Sequence, residues 1–172
     1  RSSALAGIDD AARIKADSLT VSAANSALKP WLSASAYPWL PGVPEWNVKS
    51  GSGGLFDLPA ARSDTTISQQ ALVRVGDAAS IVQTGSTATP GTLSLGAGNQ
   101  VIARDKVKVN SGSAIAVPGA DSAIRADVNT ASVQVGYKSN GAAGDGAASI
   151  DALGDVVIGT RTEGDIYTQV AV

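Results

Sequence analysis

Ile102-Ala103-Arg104-Asp105-Lys106-Val107-Lys108-Val109 carries the pattern I-x-x-D-x-V-x-V, and Ile14-Lys15-Ala16-Asp17-Ser18-Leu19-Thr20-Val21 repeats it with Leu at the sixth place. The offset between the two stretches is 102 − 14 = 88, which is four times 22. Ile124-Arg125-Ala126-Asp127 repeats the first half of the pattern after Ile102 (124 − 102 = 22), and Ile81 precedes Ile102 at nearly the same spacing (102 − 81 = 21). Ile150 follows Ile124 at a wider spacing (150 − 124 = 26), with the excess in the tract Asn140-Gly141-Ala142-Ala143-Gly144-Asp145-Gly146, which reads as an outward loop. A period of about 21 to 22 residues, built from short strands with Gly, Asn and Asp corners, is what one coil of a parallel β-solenoid requires.

Parity within the pattern sharpens that expectation. In a straight strand Val107 and Val109 would face away from Ile102, since successive side chains alternate between faces. A corner at Ala103-Arg104-Asp105 would return all three to the interior. The predicted core ladder is therefore Ile81, Ile102, Val107, Val109, Ile124, Val133 and Val135. Other runs, such as Leu93-Ser94-Leu95, Ile115-Ala116-Val117 and Ile166-Tyr167, carry the same period-2 signal of half-buried strands. An antiparallel β-sandwich also uses short strands at close spacing and stays open as the alternative.

Composition narrows the chemistry. The 172 residues contain no His, no Cys and no Met. Imidazole acid–base chemistry, His-containing triads, thiol nucleophiles, thiolate metal sites and disulfides are excluded together. A net charge of −2 with scattered Lys and Arg gives no basic stripe for phosphate contacts, so no nucleic-acid partner is expected. No apolar run approaches the roughly 20 residues of a membrane-spanning helix, and no membrane insertion is expected. Three Trp, three Tyr and one Phe among 172 residues suit a narrow interior filled by Ala, Val, Ile and Leu.

The one sharp change in composition lies in KPWLSASAYPWLPGVPEWNV, from Lys29 to Val48, which holds Trp31, Trp39, Trp46, Tyr37 and four of the seven Pro. Proline removes backbone donors, so this stretch is expected to leave the coil. Expected organisation is thus coils over 1–28, a Trp/Pro/Gly-rich insertion over 29–57 and coils over 58–172, one domain forming a segment of a larger protein. Trp31, Tyr37, Trp39 and Trp46 are the candidate interaction surface, either covering the coil wall or contacting a neighbouring subunit or a glycan.

The stretches GDAASIVQTG (Gly76 to Gly85), LSLGAGNQVIARDKVKVNSGSAIAV (Leu93 to Val117) and ADSLTVSAAN (Ala16 to Asn25) resemble the coils of filamentous-haemagglutinin-like exoproteins, large bacterial surface adhesins exported by two-partner secretion. The resemblance covers roughly 62–172 and, less closely, 1–25. It implies a right-handed parallel β-helix in an extracellular or cell-surface fibre, with adjoining coils, further copies or a host or matrix receptor as partners. It supplies no catalytic residues.

A polysaccharide-active β-helix lyase or hydrolase is the alternative of another class, because such folds gather Asp, Lys and Arg from adjacent coils. Asp105 and Asp127 share a motif position and are expected to stack one coil apart, with Arg104, Lys106 and Arg125 alongside. Two carboxylates one strand spacing apart would suit Ca²⁺, and Asp145 in its Gly-rich tract is a further weak candidate. The simpler reading gives these carboxylates to local backbone amides. No enzyme activity and no cofactor are expected on that reading, with Ca²⁺ as the alternative.

Overall fold

The computed structural model describes residues 1–29, 48–86 and 88–171, and no helix occurs among them. They form β1 (Ser2–Ile8), β2 (Arg13–Ala16), β3 (Leu19–Lys29), β4 (Val48–Ser52), β5 (Phe56–Asp57), β6 (Ala60–Gly76), β7 (Ser80–Gln83), β8 (Leu93–Ser111), β9 (Ile115–Ala116), β10 (Gly119–Tyr137), β11 (Ser149–Asp151) and β12 (Val156–Ala171). Strands pair in the orders β1-β6-β10, β2-β7-β11 and β3-β8-β12, with β4 also on β8 and a β5-β9 pair. The chain is all-β and its sheets are parallel.

The pairing register sets the repeat. Ser2 faces Gln69 (69 − 2 = 67), and Arg13 faces Ser80 at the same offset. Ser80 faces Ser149 (149 − 80 = 69), while Val48 faces Val107 (107 − 48 = 59). Paired strands are therefore roughly three times farther apart in sequence than the expected coil period. Strand length is the reason. β6, β8 and β10 run for 17, 19 and 19 residues, so one repeat holds two long strands joined through short ones. Gly96, Gly98 and Asn99, which look like corner residues, lie inside β8.

The same strand corrects the proposed corner. From Leu93 to Val109 every second residue of β8 is buried, and the residues between them are half-buried or, at Gln100, exposed. Val101, Ala103, Asp105, Val107 and Val109 share the buried face, and Ile102 points to the opposite one. No corner forms at Ala103-Arg104-Asp105, because those residues continue the ladder.

The chain divides into two compact units. The first comprises 1–25, 69–100 and 128–163. Its core holds Ile8, Ala23, Ala71, Val73, Val75, Ala79, Ile81, Leu93, Leu95 and Ala97. Ile14, Ile81 and Ile150 are in register across β2, β7 and β11, and the middle one is 1% exposed. Val133 packs against this core half-buried, whereas Val135 is 38% exposed.

The second unit comprises 26–68, 101–127 and 164–172. Val107 and Val109 pack with Ala61, Val48 and Ala120. Ile67, Val101 and Ala103 pack with Ala27 and Ile124, the last half-buried. Burying each such Val, Leu or Ile contributes about 1.5–3 kcal/mol. Within β10, Ala120 and Ile124 pack on the clusters of the second unit, and Ala131 and Val133 on the core of the first.

Candidate functional site

A carboxylate stands in the apolar face of β8. Alternation in that strand gives Asp105 the same inward direction as Val101, Ala103, Val107 and Val109, and no part of it reaches solvent. An isolated charge there would be costly, so partners are required. Lys29 Nζ, at the end of β3, lies 3.3 Å from Asp105 Oδ1, an ion-pair distance without the alignment of a hydrogen bond. Ser122 of β10 donates to Asp105 Oδ2 at 2.8 Å, and the Ser63 hydroxyl of β6 donates to the same carboxylate. Lys29 also donates to Thr65 Oγ1 at 2.5 Å and to Ser63 Oγ at 3.5 Å.

Burial works against ionising Asp105, but the Ser63 and Ser122 hydroxyls and the Lys29 ammonium outweigh it and hold the carboxyl below its ordinary 3.8. The cluster keeps an ionised acid inside the second unit. Chemically it is an anchor, fixing β3, β6, β8 and β10 in one relative register. Lys29 escaped the sequence reading because its partner is remote along the chain (105 − 29 = 76), and only the strand register brings them together.

The first unit uses carboxylates differently, at the turns between its strands. Asp10 accepts the amide of Asp77 on Oδ1 and that of Ser139 on Oδ2, both at 3.1 Å. Asp77 accepts the amides of Asp145 at 3.1 Å and Gly146 at 2.8 Å. The amide of Ser139, seconded by that of Asp77, lowers the Asp10 pKa despite the opposing effect of desolvation. Ala11 and Ala78 follow these two carboxylates with φ of 56° and 55°, and Ala11 donates its amide to Asp77 O at 2.7 Å. Gly76 precedes the second of them, where a Cβ would come within 2.5 Å of the backbone of Asp9 and Asp10. Nearby, Gln83 donates to Asp17 O and accepts the amides of Leu153 and Gly154, tying three strand repeats together.

The other candidates are not assembled into one site. Asp127 is exposed on β10, whose sheet does not contain β8, so it does not stack on Asp105. Asp145 meets Lys138 at 2.5 Å in the loop after β10. Arg104 pairs with Asp165 at 2.5 Å, and Arg125 is exposed. Among the described residues no group of three or more Asp or Glu is placed to hold a metal ion. Trp31, Tyr37, Trp39 and Trp46 lie outside the described residues. Compared with known proteins, the chain matches no family model, no curated protein and no solved structure.

Proposed function

We propose that the chain is a right-handed parallel β-helix acting as a structural or adhesive module of an extracellular surface fibre. The observation that carries this reading is the register of three successive repeats. Ile14, Ile81 and Ile150 stand beside one another in parallel strands, and Asp10 and Asp77 each cap the corner that follows. Each repeat thus templates the next, the arrangement from which a stiff, extendable rod is built. The ionised Asp105 serves that rigidity, because slipping β8 by one residue would turn the carboxylate outward and leave Lys29 without it. Trp31, Tyr37, Trp39 and Trp46 supply the contact element in this reading.

Electron microscopy of copies joined in tandem tests it. Rods whose length grows in proportion to the number of copies are expected. Separate globules on a flexible string would overturn the proposal.

A further inference from the structure

We infer that the outer face of β4 and β8 in the second unit binds a linear acidic polysaccharide, a chain of uronic acids whose carboxylates lie along a row of cations. The inference rests on the adhesive side of the reading above and names a ligand class for it. Along the sequence Lys and Arg look scattered, but strand alternation gathers four of them. Asp105, Val107 and Val109 are buried on the inward face of β8, so Arg104, Lys106 and Lys108 all turn outward. Neighbours in this row stand roughly 6.7 Å apart, two residues of extended strand. Val48 packs inward with Val107 and Val109, which turns Lys49 outward, and the register sets Lys49 directly beside Lys108. All four cations belong to the same unit.

Charge fits this face to an anion in two ways. Like charges directly opposite one another destabilise a sheet, so an anion held at Lys49 and Lys108 relieves a cost built into the strand pairing. The row also already takes a carboxylate, since Asp165 of β12 pairs with Arg104 at 2.5 Å. Asp165 is the only acid on this face among the described residues of the unit, which leaves the face at +3 (4 − 1 = 3) on a chain of net charge −2. It is a face and not an edge: a strand added beside β4 or β12 would leave these outward side chains open. Shape selects the class of anion. The row is about 13 Å long and two strands wide, room for one thin chain lying along β8. Single-stranded nucleic acid calls for a succession of aromatic platforms. Tyr167, two residues beyond Asp165 and so turned to the same side, is the only ring on the face among the described residues, which suits the apolar side of one sugar.

The test is isothermal titration calorimetry of the intact chain at low salt with polygalacturonate fragments, with neutral dextran and an unstructured DNA oligonucleotide as the other arms and circular dichroism to verify that each variant is folded. Wild type is expected to bind polygalacturonate saturably, less tightly as salt rises, and neutral dextran not at all. Lys106→Glu and Lys108→Glu combined should weaken binding about tenfold, and Lys49→Glu, on a separate strand, about threefold. Lys15→Glu, an equal charge change at an exposed site of β2 in the first unit, should leave affinity within about twofold. Absence of saturable binding would overturn the inference, as would row variants that bind like wild type or an equal loss in Lys15→Glu. Tighter binding of the oligonucleotide would overturn the polysaccharide in favour of nucleic acid. The fibre proposal is read from rods of tandem copies and this one from a single chain, so either can fail while the other stands.

Discussion

β8 and β12 carry the same kind of sequence and have opposite fates. Leu93, Leu95, Val107 and Val109 are 1% exposed or less, whereas Val156, Ile158, Ile166 and Val170 are all more than 40% exposed. Both strands alternate, and they are neighbours in one sheet. What differs is the company: β8 has strands on both sides, and β12 has one only among the described residues. Burial here is a property of position in the row as much as of the strand's own residues. Equal substitutions in the two strands should therefore have unequal effects.

The largest contrast is between Leu95→Asp and Ile158→Asp, at neighbouring places in the register. Leu95→Asp puts an unpaired charge in a closed core and should abolish the cooperative melting transition. Ile158→Asp should leave that transition in place and cost about 1 kcal/mol, since its site is half open. Equal losses in thermal melts would remove the distinction.

Next comes the interior ion pair. Lys29→Ala leaves Asp105 buried with only its hydroxyl donors and should cost about 2 kcal/mol in urea unfolding, below the full penalty for a wholly buried pair because Lys29 is partly exposed. The folded-state pKa of Asp105 lies below its ordinary 3.8, so its contribution is complete above that value and fades as pH falls through the lowered one. Wild-type stability should thus drop as pH falls below about 4, more steeply than that of Asp105→Asn. Parallel profiles for the two proteins would remove this carboxylate from the account.

Gly76→Ala tests the corner. Its new Cβ would press on the backbone of Asp9 and Asp10, and a loss of about 2 kcal/mol is expected from chemical denaturation. The smallest effect belongs to Ile102→Asp. Ile102 faces away from the buried row of β8 and is half-buried, so about 1 kcal/mol or less should be lost. Complete unfolding of that variant would restore the corner at Ala103-Arg104-Asp105.

The absence of helix, the short-range alternation and the parallel stacking were all legible in the sequence, because period-2 patterning and missing helix signals act locally. Repeat length was not. I-x-x-D-x-[LV]-x-V matches Ile14, in a short strand, to Ile102, in the middle of a long one. It records alternation, which any strand shows, and not place in the repeat. The positional signal was the shorter run Asp10-Ala11-Ala12-Arg13-Ile14, which recurs as Asp77-Ala78-Ala79-Ser80-Ile81 and, with one residue added, as Asp145-Gly146-Ala147-Ala148-Ser149-Ile150. Its specificity comes from a carboxylate capping amides and from Ala11 and Ala78 at positive φ, demands that generic strands do not make. The Lys29–Asp105 pair was hidden for a different reason, since it exists only once the register is known.

Engineered cysteines test that register most directly, in a chain with no native Cys to compete. Lys15 and Val82 are partners across β2 and β7, so Lys15→Cys with Val82→Cys should oxidise to an intramolecular disulfide under native conditions. Ile81→Cys with Ile102→Cys, the pair that the shorter coil period would bring together, should remain as free thiols. Bridging of the second pair with free thiols in the first would contradict the account.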